Sequence, residues 1–145
     1  MRLKVRADLG QLRRIREFVT DSASALGAES TSFDDLRLAV DEAVTNIITH
    51  GYGGGGDIEL ELSSEGSDLI VRLRDNAPSF DPNLAPEADL RLPGDREKSG
   101  GLGVYLMQSV MDEIIHRSIE TGNELVMTKR NVIGSARLSA AEKDG

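Results

Sequence analysis

Glu42 and Asn46 stand four residues apart in the run Asp41-Glu42-Ala43-Val44-Thr45-Asn46. In a helix that spacing is a rotation of about 400°, which leaves the two side chains within roughly 40° of each other and one turn apart. Both then border the apolar stripe of Leu36, Val40, Ala43 and Ile47, the edge where a side chain lines a cleft instead of bulk water. A carboxylate and a carboxamide so placed can share a metal ion, a water or a substrate hydroxyl. An ordinary surface pair on an amphipathic helix has the same spacing, so the pair alone decides nothing. Asp75, in Asp75-Asn76-Ala77-Pro78, ends an alternating apolar run. A carboxylate at a strand end can accept a hydrogen bond from an exocyclic amine such as that of adenine, although Asp-Asn-x-Pro also suits a plain turn. In Lys98-Ser99-Gly100-Gly101-Leu102-Gly103, glycines open a helix whose unpaired amides would attract an anion, with Lys98 adding charge; a flexible hinge is the alternative. Neither the Walker loop nor the dinucleotide fingerprint is present.

These residues need elements to position them. Leu3 to Arg6 alternates apolar and basic residues and predicts a short edge strand. Asp8 is placed to cap a helix to about Ala25, with Leu9, Leu12, Ile15 and Val19 on one buried stripe and Gly27 ending it. Ser32 and Asp35 resemble a capping box for a second helix, which stops near His50-Gly51 before the glycine tract Gly53 to Gly56. Ile58, Leu60 and Leu62, then Leu69, Val71 and Leu73, alternate with charged residues and predict an antiparallel hairpin that turns near Gly66. Ala77 to Gly100 holds all four prolines and no sustained periodicity, which reads as a lid. A helix follows with Leu102, Leu106 and Val110 on one face. Two more strands, Ile114 to Ile119 and Leu125 to Lys129, join at Gly122-Asn123. Residues 1–133 thus predict one α+β domain, a two-layer sandwich with helices on one face of a mixed, mainly antiparallel sheet, and residues 134–145 a flexible tail.

Composition narrows the function classes. A chain of 145 residues with 39% hydrophobic content suits one core, and its lack of cysteine excludes disulfides, thiolate metal sites and a cysteine nucleophile. The formal net charge of −8 argues against direct nucleic-acid binding, which relies on Lys and Arg to neutralise phosphates. No apolar run is long enough for a membrane span, and no charged-then-apolar leader opens the sequence, so a cytoplasmic protein is expected.

Order and spacing make the three constellations informative together. Glu-x-x-x-Asn on a helix, Asp at a strand end before a lid, Gly-x-Gly opening a helix and Gly122-Asn123 before a last strand resemble the layout of GHKL ATPases from about Phe33 to Arg130. Asp41 to Tyr52 is similar to the N box of anti-sigma serine kinases of the RsbW and SpoIIAB type, as are Ser79-Phe80-Asp81-Pro82 and Gly101-Leu102-Gly103.

The resemblance implies an ATP-dependent serine/threonine protein kinase acting as an anti-sigma factor. Glu42 would be the general base for a substrate hydroxyl, and Asn46 would hold the Mg2+ that bridges the ATP phosphates. Asp75 would take the adenine amine with Ala77 beside it. Gly100, Gly101, Leu102 and Gly103 would face the phosphates, with Lys98 nearby on the lid. Implied partners are a sigma factor and a STAS-domain anti-anti-sigma protein. A homodimer is a further implied assembly, though no segment independently marks an interface. Two departures stand out: many relatives have Asp-x-Gly where this chain has Ala77, and Thr near the adenine where Glu124 falls. They motivate an alternative, a non-catalytic module that sequesters a sigma factor with weak or no nucleotide binding. Arg13, Arg14 and Arg16, largely off the apolar stripe of the first helix, are candidates for acidic partner surfaces or simply a solvated basic face. The first helix carries no His, against a self-contained histidine kinase.

Overall fold

The computed structural model describes residues 1–51, 56–77 and 101–134. Period-two alternation builds the sheet. Ile58, Leu60 and Leu62 of β2 (Asp57–Glu65) and Leu69, Val71 and Leu73 of β3 (Asp68–Asp75) are all fully buried, while the charged residues between them face the other side. β1 (Arg2–Arg6), β4 (Glu113–Ile119) and β5 (Gly122–Lys129) complete a sheet of order β1-β2-β3-β5-β4. Every described pairing is antiparallel, as the mainly antiparallel sheet expected from the sequence requires. The chain crosses over to the far edge as β4 and returns by a tight hairpin, so β5 meets β3 head to tail.

Three α-helices among the described residues cover one face: α1 (Leu12–Ala25), α2 (Phe33–Asn46) and α3 (Gly101–Val110). Ile15, Val19, Leu36, Val40, Val44 and Met107 share one core cluster with the inward residues of the sheet. At the end of α1, Gly27 takes φ 91°, its N–H bonds the Ser24 carbonyl and Ala28 N–H bonds Ala23, the two bonds of a Schellman ending.

Local chemistry departs from expectation at three places. Leu9 is 51% exposed and lies off the stripe, because Leu9–Gln11 form a 3-10 turn capped by Asp8 before the α-helix begins. A 3-10 turn advances about 120° per residue, which rotates Leu9 away from the line of Ile15 and Val19. Ser32 and Asp35 form no capping box. Ser32 already has helical angles (φ −86°, ψ −12°) as the end of a second 3-10 turn. Its hydroxyl therefore donates back to the Glu29 carbonyl (2.6 Å), and Asp35 pairs instead with Lys129 (3.1 Å). The last hairpin turns at Glu120–Thr121, and Gly122 and Asn123 open β5. The expected lid beyond Ala77, with Lys98 and Gly100, and all but Gly134 of the expected tail lie outside the described residues.

The sheet face away from the helices is laced by cross-strand charge. Glu124 is 3% exposed, with Arg74 donating to one carboxylate oxygen (2.7 Å) and Arg117 to the other. The hydrogen bond from Arg117, then that from Arg74, holds the Glu124 carboxyl below its ordinary range against the opposing effect of burial. A lowered native pKa means the contribution to stability is complete above the ordinary glutamate value and fades as pH falls through the lowered one. Glu124→Gln is expected to cost roughly 1 kcal/mol at neutral pH, since the arginines remain open to water. In denaturant titrations the gap between wild type and variant should close only in acid, below the usual carboxylate range.

Candidate functional site

The site grows from the end of α2. Glu42 and Asn46 are both partly buried, beside the core residues Ala43 and Val44, on the helix edge that the spacing predicts. Asn46 is the last α-helical residue, and Ile47–Gly51 widen into a π-helical turn. Such turns recur at functional sites because they re-aim backbone and side chains; nothing in the sequence pattern distinguishes this one from a continued helix. Asp41, next to Glu42, is fixed from α1: Arg16 Nε lies 3.0 and 2.9 Å from its two carboxylate oxygens. Arg16 is thus paired within the fold, and Arg13 pairs with Glu17 (3.4 Å).

Asp75 closes β3 and is buried. Its Oδ1 accepts hydrogen bonds from Ala77 N and from Asn123 Nδ2, each 3.0 Å. Both of its hydrogen bonds among the described residues fall on Oδ1, so Oδ2 has a fixed direction. Asn123 is the residue the sequence reading missed. It sits opposite Asp75 in the β3–β5 register and points to the helix side. Glu124, one residue on, faces the opposite side of the sheet, so it is no neighbour of Asp75. The signal was available in the alternation of β5, where Asn123, Leu125 and Met127 share a face. Ala77 is also accommodated. Asn131 is the only non-glycine with positive φ among the described residues, so Ala77 needs none of glycine's freedom. Gly122 does: its φ is 150°, and an added Cβ would lie 1.9 Å from the Asp75 carbonyl oxygen.

At the other end of β5, Lys129 ties α3 to α2. Its ammonium donates to the Val110 carbonyl at the end of α3 (2.5 Å) and lies 3.1 Å from Asp35 in the first turn of α2. The two helices pack along each other and so run antiparallel. At 1.5 Å per residue, Gly101 is about 14 Å up α3 from that anchor and Asn46 about 16 Å up α2. The backbone of Gly101, Leu102 and Gly103, where α3 begins, is thereby brought level with the Glu42–Asn46 end. No group of three or more acidic and His side chains suited to a metal occurs among the described residues.

Helices layered on one face of a five-stranded antiparallel sheet, as here, define a known class of α+β domain. The chain belongs to the histidine kinase-like ATPase domain family, whose model matches residues 5–129. It is similar to Serine-protein kinase RsbW of Halalkalibacterium halodurans, 30% identical over 119 residues, spanning 79% of this chain and 73% of that protein. Serine-protein kinase RsbW of Listeria monocytogenes is 33% identical over 113 residues, spanning 74% and 71%. That of Bacillus velezensis is 31% identical over 134 residues, spanning 88% and 82%. The fold matches the RsbU and RsbW domains of a Mycobacterium tuberculosis protein (TM-score 0.59, 17% identity), covering 90% of this chain but 32% of that longer one. It also matches the catalytic domain of histidine kinase ThkA (TM-score 0.56, 13% identity), covering 91% of this chain and 99% of that one. No described helix is long and apolar enough to cross a membrane.

Proposed function

We propose that this protein is an ATP-dependent serine/threonine protein kinase that acts as an anti-sigma factor, with residues 1–133 as its catalytic unit. The observation that carries the reading is the buried Asp75 carboxylate, held through Oδ1 by Ala77 N and Asn123 so that Oδ2 is aimed. A fixed acceptor of this kind suits the exocyclic amine of adenine. ATP bound there supplies the γ-phosphoryl group, with Mg2+ neutralising its phosphates.

The chain's own residues position and move protons. Asn46 offers one amide oxygen to Mg2+, an ion that takes few protein ligands and fills its shell with water and phosphate oxygens. Gly100, Gly101, Leu102 and Gly103 present backbone amides, and the start of α3 favours negative charge. Lys98 contributes charge from the lid. Glu42 accepts the proton of a substrate Ser or Thr hydroxyl as its oxygen bonds to phosphorus and the bond to ADP breaks. The partner is an anti-anti-sigma protein of the STAS class. The two negative charges added to it disrupt an interface lacking compensating cations. In the other state the kinase holds a sigma factor. Arg14, exposed on α1, remains a candidate for partner contact.

The two departures that favoured a sequestering module lose their force, since Glu124 faces away from Asp75 and Ala77 fits. Calorimetry with magnesium-ATP tests the reading. Heat of binding, with acid-stable phosphate on a captured partner, supports it; no heat and no thermal stabilisation at millimolar ATP returns the case to the module. Asn46→Ala is expected to weaken ATP binding about tenfold in magnesium. With EDTA present, variant and wild type should bind alike, because the lost amide matters only through the ion.

A further inference from the structure

Lys129 lies at the far end of β5 from Asn123 and, on the sequence alone, carries no part of the chemistry. Its stem runs under the helical layer, leaving the side chain 16% exposed. Its ammonium meets two groups of complementary sign: the Val110 carbonyl at the negative end of α3 (2.5 Å) and Asp35 in the first turn of α2 (3.1 Å). A cation at a helix C-terminus satisfies a carbonyl left without an intrahelical partner and opposes the helix dipole. Here the same cation also grips the other helix, while its backbone belongs to the strand that orients Asp75 through Asn123.

Three elements of the site therefore converge on one side chain. Sliding α3 along α2 is the motion that would separate the amides of Gly101 to Gly103 from Glu42 and Asn46. Met107 shares the core cluster with the α2 stripe and Val104 packs against that cluster, so the closely packed helix pair meets through apolar side chains. Apolar contacts resist separation better than they resist sliding, since burial is non-directional. A charged hydrogen bond at the helix end does fix the axial position.

Resting on the nucleotide reading above, we propose that Lys129 is a positioning residue that sets the register of α3 against α2, and so the distance at which the α3 amides meet the ATP phosphates. The adenosine part of the ligand is read by Asp75, which Lys129 does not touch. The proposal thus separates the two halves of one ligand. Lys129→Met, which keeps the stem and removes the charge, should weaken magnesium-ATP binding about tenfold while adenosine binds as in wild type. Lys129→Arg should restore ATP binding.

Parallel titrations of each protein with magnesium-ATP and with adenosine, alongside its melting temperature, are the test. Loss for ATP alone, reversed by Arg, is the expected result. Equal loss for both ligands, or unchanged ATP binding, overturns the positioning role while leaving the nucleotide reading intact. Wild-type protein that binds neither ligand overturns both. If Lys129→Met fails to fold, Lys129→Gln keeps a polar end without the charge, and the same two titrations decide.

Discussion

Glu42→Gln should lower phosphoryl transfer about 10²- to 10⁴-fold, the range typical of losing a general base, with ATP affinity nearly unchanged. The substitution keeps the size of the side chain and its place on α2, and it takes away the ability to accept a proton. Glu42 stands partly buried beside Ala43 and Val44, so the amide inherits the same packing. Its neighbour Asp41 stays clamped by Arg16, which keeps the helix turn in place. The signature is a split between parameters: kcat falls, while the dissociation constant for magnesium-ATP and the melting temperature do not move. Transfer at the wild-type rate would remove Glu42 from the mechanism. Loss of ATP binding in step with the rate would make it a ligand contact instead.

Gly122→Ala should damage both the fold and nucleotide binding. The new methyl would sit 1.9 Å from the Asp75 carbonyl oxygen and 2.7 Å from Asn76 Cα. Both obstacles are backbone, so no rotamer change relieves the overlap. Gly122 also has φ 150°, where an L side chain is strained in any surroundings. Overpacking and backbone strain together predict a loss of about 3 kcal/mol or more, measured by urea unfolding. The part of the chain forced to move is the end of β3, which carries Asp75. ATP affinity should therefore fall further than stability alone explains, and titration under conditions where the variant remains folded isolates that part. Gly66 gives the control: its φ is also positive (61°), but a Cβ there meets nothing within 4 Å. Gly66→Ala should cost about 1 kcal/mol and leave ATP binding untouched.

Much of this molecule follows from local pattern. The inward residues of β2 and β3, the stripe of α2 and the glycine ending of α1 each depend on periodicity or on a single backbone requirement, and such signals are written in neighbouring residues. The pairing of Glu42 with Asn46 on one helix edge is of the same kind, because helical geometry alone places them. Where the sequence misled, two local solutions competed. Ser32 had the residue types of a capping box, yet a preceding 3-10 turn gave it helical angles and sent its hydroxyl to Glu29. Leu9 had the stripe's spacing but the wrong kind of turn.

Tertiary structure alone decided which distant residues meet. Asn123 reaches Asp75 across 48 positions of chain, and Lys129 joins the end of α3 to the start of α2. Strand register settles such contacts, and a shift of one residue sends every side chain to the opposite face. That is why Glu124, adjacent to Asn123 in sequence, pairs with Arg74 and Arg117 on the far side of the sheet. Residue types and their local spacing are fixed by the chain; the side of a sheet, the level of one helix against another and the neighbour across a strand are fixed only when packing chooses one register.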